Sequence, residues 1–241
     1  MTNPQILILT LVLIACYLAW KNQRFLKATS ESETIYETEF PDLEPKEISA
    51  DQQDWFTEQH WLTDSEIDWA LAQLAKNAHY KMLPAYIFHY LAETHGLEAN
   101  AYLAFPDLLS ELTGFTGELV FIPVNNPDFH WSLLVYEVKE KKFYHFDTLG
   151  GTNDTYVKPL VKELLIHLLQ TNEPNLKDYL ATRYHLKQGN TWDCGIAVIE
   201  IAKAIIKDYP TFKKVLLYTK LDFDFANARK DWRDKLENYE R

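Results

Sequence analysis

Near the C-terminal end the chain reads Gln188-Gly189-Asn190-Thr191-Trp192-Asp193-Cys194-Gly195, followed by an apolar run. A cysteine attacks a carbonyl only as thiolate, and a free thiol ionises near pH 8.5. Two features of the sequence favour the anion at Cys194. The apolar residues Ile196, Ala197, Ile199, Ile201, Ala202, Ile205 and Ile206 recur at helical spacing. Cys194 then stands at a helix start, where the positive end of the macrodipole favours negative charge. Upstream, His130 can supply an imidazolium partner. Asp147, seventeen residues after His130, can orient that ring and fix its tautomer. Acyl transfer also needs donors aimed at the developing oxyanion. The backbone N–H of Cys194 and the side-chain amide of Gln188 are the candidates. A lone cysteine is more often an inert core thiol, and one of eight histidines is more often structural. The conjunction of His, Asp, Gln and Cys in that order points to a thiol hydrolase.

These residues need elements that bring them together. Residues 132 to 138 form a β-rich run, 139 to 142 a polar turn, and 143 to 147 a second strand. A hairpin of this kind puts the start of its first strand beside the end of its second, so His130 and Asp147 become neighbours. Gly150-Gly151 then ends the second strand. Elsewhere the pattern predicts helices at about 64 to 77, 84 to 94, 106 to 112, 156 to 170 and 227 to 239. Strands are expected at 118 to 124 and 182 to 186. The fold class expected is α+β, a central mixed sheet flanked by helices.

His130-Trp131-Ser132-Leu133, Asp147 and Gln188-x-Asn190-x-x-Asp193-Cys194-Gly195 resemble the signatures of the Ulp/SENP cysteine proteases, which process ubiquitin-like proteins. Trp61-Leu62-Thr63-Asp64, with Ile67 and Leu71, is similar to the family's Trp-Leu-Asn-Asp helix opening, with Thr63 in place of the usual Asn. The resemblance covers roughly residues 51 to 241. It implies a papain-like, Ulp-type fold and cleavage after the Gly-Gly end of ubiquitin or a ubiquitin-like modifier. It implies that His130, Asp147 and Cys194 form the triad and that Gln188 is the oxyanion donor. It further implies that Trp61 and Trp131 roof a narrow tunnel over the Gly-Gly tail and that Asp64 meets an Arg of the modifier. Core packing competes with the tunnel role for Trp61. For Asp64, a helix N-terminal charge stabilised by the dipole is compatible with either reading.

The 241 residues carry a net charge of −11, which argues against nucleic acid as a partner. Two cysteines give no disulfide scaffold, and a free thiol suits a reducing compartment. No Cys/His group has zinc spacing, and no Gly-rich phosphate loop occurs among the seven glycines. No metal or cofactor is therefore expected, and the chain is expected to act as a monomer.

Residues 6 to 20 are apolar except for Thr10. Fifteen residues are short for a span of about 20, but Tyr17 and Trp20 suit a membrane interface. A transmembrane anchor is the leading reading for residues 1 to 27. A cleaved signal lacks support because residues 1 to 5 carry no Lys or Arg. A lipoprotein signal is the third reading, since Leu13-Ile14-Ala15-Cys16 is similar to a lipobox. Lys21, Arg24 and Lys27 follow the run, so the positive-inside rule leaves the rest of the chain cytoplasmic. Residues 28 to 50 hold seven acidic residues and one Lys, with Pro41 and Pro45, and read as a flexible linker. Residues 51 to 241 remain as the catalytic domain. The layout of anchor, acidic linker and small catalytic domain resembles that of effectors of intracellular bacteria.

Two other functions compete. Some bacterial effectors of the same clan use a similar Cys-His-acid set to move acetyl from acetyl-coenzyme A. Against that, the two tryptophans and the Gln-x-Asn-x-x-Asp-Cys-Gly string favour a protease, and no basic pocket for an inositol phosphate activator is visible. An inactive binding module is disfavoured because the full set of reacting groups is present.

Overall fold

The computed structural model describes residues 54–75, 78–85, 101–126, 129–183, 187–208 and 223–239, with side chains of 101–107 left aside. All of them belong to one compact unit. The apolar run 6 to 20, the linker 28 to 50 and positions 86 to 94 of the helix expected at 84 to 94 lie outside the described residues, and 84 and 85 are not helical. Among the described residues no helix is long and apolar enough to cross a membrane.

The elements run α1 (Asp64–Leu74), β1 (Tyr80–Met82), α2 (Ala101–Gly114), β2 (Leu119–Asn126), β3 (His130–Glu137), β4 (Lys142–Phe146), α3 (Asp154–Leu169), α4 (Leu176–Tyr179), β5 (Leu180–Arg183), α5 (Cys194–Asp208) and α6 (Phe225–Tyr239). The strands form one sheet in the order β1-β2-β3-β4-β5. The outer pairs β1–β2 and β4–β5 are parallel, and the inner pairs are antiparallel. The sheet is thus mixed and flanked by helices, as the sequence pattern predicts.

Both faces of the sheet are covered, so its strands are apolar on both sides rather than alternating with polar residues. Leu119, Phe121, Leu133, Val135, Tyr144 and Phe146 join one core with residues of α1, α5 and α6. The intervening Val120, Ile122, Val124, Leu134, Tyr136 and Phe143 join a second core with α2 and α3. Full burial of an aliphatic side chain of this kind stabilises by about 1.5–3 kcal/mol. Pro123 interrupts β2 without breaking a ladder bond. Phe121 offers its carbonyl to Leu83 on the β1 side. Two residues on, Pro123 faces that same side past the end of β1.

The expected boundaries shift in places. β1 is only three residues long and its alternation is too short to read from sequence. α2 begins at Ala101 instead of 106 and runs to Gly114. β5 begins at Leu180 instead of 182, directly after the single turn of α4. α1 starts where expected, because Thr63 and Glu66 cap it. The Thr63 backbone N–H donates to Glu66 Oε2 at 2.8 Å.

Candidate active site

The β3–β4 hairpin begins with His130 and ends one residue before Asp147. His130 Nε2 meets Asp147 Oδ1 at 2.8 Å. Since the carboxylate only accepts, Nε2–H must donate, and Nδ1 is left for another partner. Nδ1 is buried and makes no hydrogen bond. Cys194, the first residue of α5, is near enough to the ring to favour its protonated form. His130, Asp147 and Cys194 are thereby brought together at the end of the sheet, with exposures of 1%, 0% and 2%.

The electrostatics of the pair follow from these contacts. Burial lowers the affinity of the His130 ring for a proton. The hydrogen bond to Asp147, the contact with Cys194 and the charges of both outweigh burial and push its pKa up to about 9. Burial raises the Asp147 carboxyl, but the bond from His130 and the backbone N–H of Asn153 and Leu149 hold it below its ordinary value. The two residues form an ion pair, and a protonated ring beside Cys194 is the charge a thiolate needs.

Asp147 is held by the turn that follows it. Leu149 N–H donates to Oδ1 at 2.8 Å and Asn153 N–H to Oδ2 at 2.9 Å. The turn needs Gly150 and Gly151, whose φ values are +73° and +95°. The Asn153 side chain reaches back under the hairpin, donating to Ser132 Oγ at 2.8 Å and lying 3.4 Å from the His130 carbonyl. Ser132 in turn meets His145 Nε2 at 3.0 Å, and His145 Nδ1 meets Asp154 Oδ1 at 3.1 Å. Ser132 and His145 are closed to solvent. This internal string braces the hairpin rather than facing a substrate.

Gln188 reaches the same place from the loop before α5. Its Oε1 accepts the Thr148 hydroxyl at 2.5 Å, and its Nε2 donates to the Asn190 carbonyl at 2.8 Å. The amide has two N–H groups, so one is left for another acceptor. Thr148 follows Asp147 directly, so the acid and the amide arms are linked through one hydroxyl.

Trp131 and Trp61 differ in setting. Trp131 is 6% exposed and packs in the core beside α5, whereas Trp61 is 41% exposed. They are linked through Leu62, whose carbonyl accepts the Trp131 indole N–H at 3.0 Å. Glu66 organises the Trp61 loop from within. It is fully buried and accepts from Phe56 N–H at 3.2 Å, His60 Nε2 at 2.9 Å and Thr63 N–H at 2.8 Å. Asp64 lies in the first turn of α1 and is half-buried. Among the described residues no group of three or more His, Cys, Asp or Glu is arranged to hold a metal ion.

Sequence reasoning missed Thr148, Asn153, Glu66 and Arg229 as parts of this arrangement. Thr148 and Asn153 flank the Gly150-Gly151 turn, which is a local signal. Arg229 lies on α6 and bonds Asp193 across 36 residues, and nothing in the local pattern announces it.

The C-terminal catalytic domain of the Ulp1 protease family matches residues 113–240. A probable sentrin-specific protease 8 of Dictyostelium discoideum is 30% identical over 102 residues, which cover 38% of this chain and 42% of that protein. The chain thus matches less than half the length of this curated relative. The C-terminal Ulp1 protease domain solved with Smt3, the yeast ortholog of SUMO, superimposes with a TM-score of 0.58 at 17% identity, covering 77% of this chain and 80% of the other. The Xanthomonas campestris effector XopD bound to ubiquitin superimposes at 0.56 and 16% identity, covering 79% and 99%. At such identities the two structures establish the fold.

Proposed function

The chain belongs to the Ulp1 protease family, and we propose that it is a thiol protease cutting after the Gly-Gly end of ubiquitin or a ubiquitin-like modifier. The observation that carries this reading is the ion pair His130–Asp147, 2.8 Å across, with Cys194 near enough to the same ring to raise its pKa. Cys194 is the nucleophile, His130 the base and acid, Asp147 its orienter. The Cys194 thiolate adds to the carbonyl carbon of the last glycine. Negative charge develops on the carbonyl oxygen and is met by Gln188 and the Cys194 N–H. The His130 imidazolium then gives its proton to the leaving amine, and a thioester remains. Water, deprotonated by His130, cleaves that thioester and frees the modifier's carboxylate.

The substrate's shape is argued from the near-complete cover over Cys194, 2% exposed. A covered nucleophile favours a substrate tail without side chains, and Trp61 and Trp131 are the residues proposed to bound its path, with Asp64 meeting the modifier's surface. The modifier itself is left open, since one structural neighbour was solved with a SUMO ortholog and another with ubiquitin.

The test is a panel of ubiquitin, SUMO and NEDD8 probes whose C-terminal electrophile traps a thiol. Capture of at least one probe by the wild type, absent in Cys194→Ala, is expected. Acetyl transfer from acetyl-coenzyme A with no probe captured would replace this reading with the acetyltransferase. For location, residues 1 to 27 are proposed to anchor the chain with its catalytic part in the cytoplasm, on the basic residues Lys21, Arg24 and Lys27 that follow the apolar run. Recovery of the full chain in the soluble fraction would remove that proposal.

A further inference from the structure

Arg229 is 4% exposed on α6 and none of the chemistry above uses it. Its guanidinium holds the peptide that leads into Cys194. Nε donates to Asp193 Oδ1 at 2.8 Å, Nη2 to the Trp192 carbonyl at 2.8 Å, and Nη1 to the Thr57 carbonyl at 3.1 Å. The contacts continue through the loop. Asp193 Oδ2 accepts Asn190 Nδ2 at 2.6 Å. Asn190 Oδ1 accepts the backbone N–H of Trp192 at 3.1 Å and of Asp193 at 3.0 Å. The Asn190 carbonyl accepts Gln188 Nε2 at 2.8 Å. A continuous run of hydrogen bonds therefore joins Arg229 to the Gln188 amide.

We propose that Arg229 is a positioning residue that sets the Gln188 amide and the Cys194 N–H at the separation an oxyanion requires. The inference rests on the protease reading above. Energetics argue for geometry rather than stability as the role. A buried ion pair such as Arg229–Asp193 gives little net stability over a well-packed apolar pair. What the pair supplies is direction. The planar fork takes the Asp193 carboxylate and the preceding carbonyl together, which fixes the backbone on the N-terminal side of Cys194. Both proposed oxyanion donors hang on that loop, one at each end. A third bond ties the loop to the Thr57 carbonyl in the segment ahead of Trp61. α6, remote in sequence, thereby belongs to the site.

The test compares wild type with Arg229→Gln, and with the charge-neutral pair Arg229→Gln/Asp193→Asn, in the full-length chain. The pair guards against misfolding because it leaves no lone buried charge. The substrate is whichever modifier–aminocoumarin conjugate the wild type cleaves best. A displacement of about 1 Å in a positioned group costs up to about 100-fold in rate. Both variants are expected to lose roughly 10- to 100-fold in kcat with KM within about twofold. Alkylation of Cys194 by iodoacetamide forms no oxyanion, so its rate should stay within about threefold of wild type. In a Gln188→Ala background, Arg229→Gln should cost clearly less than in the wild type, because only the Cys194 N–H is then left to misplace. Unchanged kcat in the charge-neutral pair, an equal loss in alkylation, or fully additive losses overturns the inference while leaving the protease reading intact. A wild type that cleaves no conjugate removes both.

Discussion

The indole N–H of Trp131 donates to the carbonyl of Leu62, 69 residues away in sequence, at 3.0 Å. The same Leu62 side chain lies against Gly195. A Cβ built at Gly195 would stand 2.7 Å from Leu62 Cβ, closer than side chains approach. One leucine therefore touches both the residue after His130 and the residue after Cys194. It carries Trp61 with it.

From this contact follows the first prediction. Gly195→Ala should overpack the site and cost about 1–3 kcal/mol. The measurement is urea unfolding. In a Leu62→Ala background the extra methyl gains room, and the added cost of Gly195→Ala should largely vanish. An equal cost in both backgrounds would show that the strain lies elsewhere, in the first turn of α5.

Much of this arrangement was legible in the sequence, and the reason is spacing. His130 and Asp147 sit at the two mouths of a hairpin whose strands and polar turn are continuous in sequence, so their meeting follows from the pattern alone. Cys194 at a helix start follows from the periodicity of Ile196 to Ile206. The hydroxyl of Thr148 on Gln188 and the fork of Arg229 on Asp193 span 40 and 36 residues. They depend on how β4, β5 and α6 pack, which no local pattern encodes. Glu66 was hidden for a different reason. As a capping-box residue it reads as exposed, yet it is fully buried beneath the Trp61 loop. The strand β1 and the helix α4 are too short to show a period.

The second prediction concerns the amide arm. Removing one oxyanion donor costs roughly 100- to 1000-fold in kcat, so Gln188→Ala should fall in that range with little change in KM. Thr148→Val removes only the hydroxyl that holds Gln188 Oε1 and should cost less. Combined with Gln188→Ala it should add little, since its effect passes through the missing amide. Steady-state kinetics of the four proteins decide this. A pure KM effect of Gln188→Ala would assign the amide to binding.

The ion pair sets a third expectation, in pH. The folded pKa of His130, about 9, lies above its ordinary 6.5. Its contribution to stability is therefore complete below pH 6.5 and is lost as pH rises through 9. Asp147 has a lowered pKa, so its contribution is present above the ordinary carboxylate range and is lost only on acidification. One pKa unit corresponds to about 1.4 kcal/mol, so the alkaline loss should amount to a few kcal/mol. Thermal unfolding from pH 6 to 9.5 should show a falling Tm. Asp147→Asn should flatten that slope and lower kcat by orders of magnitude, because the ring loses its ionic partner and its tautomer. A slope unaltered by Asp147→Asn would assign the alkaline loss to other groups.

The last prediction joins the two tryptophans to selectivity. Cys194 is nearly covered, and Trp61 is one of the large apolar side chains among the described residues that remain exposed, at 41%. The tunnel proposed above has the exposed Trp61 indole as one wall and Trp131, held by its bond to the Leu62 carbonyl, as the other. On that proposal a β-carbon on the substrate's last residue would meet atoms on both sides. One methylene in an ordinary apolar pocket changes the free energy by about 1–3 kcal/mol. Replacing the modifier's last Gly by Ala should cost the wild type more than that in kcat/KM. Trp61→Ala should relax the discrimination and leave the fold in place, since Trp61 is exposed and belongs to neither core. Trp131→Phe should relax it less and lower stability by about 1–3 kcal/mol, because the smaller ring leaves a gap and the Leu62 carbonyl loses its partner. Equal cleavage of Gly-Gly and Gly-Ala ends by the wild type would remove the tunnel and, with it, the steric account of substrate choice.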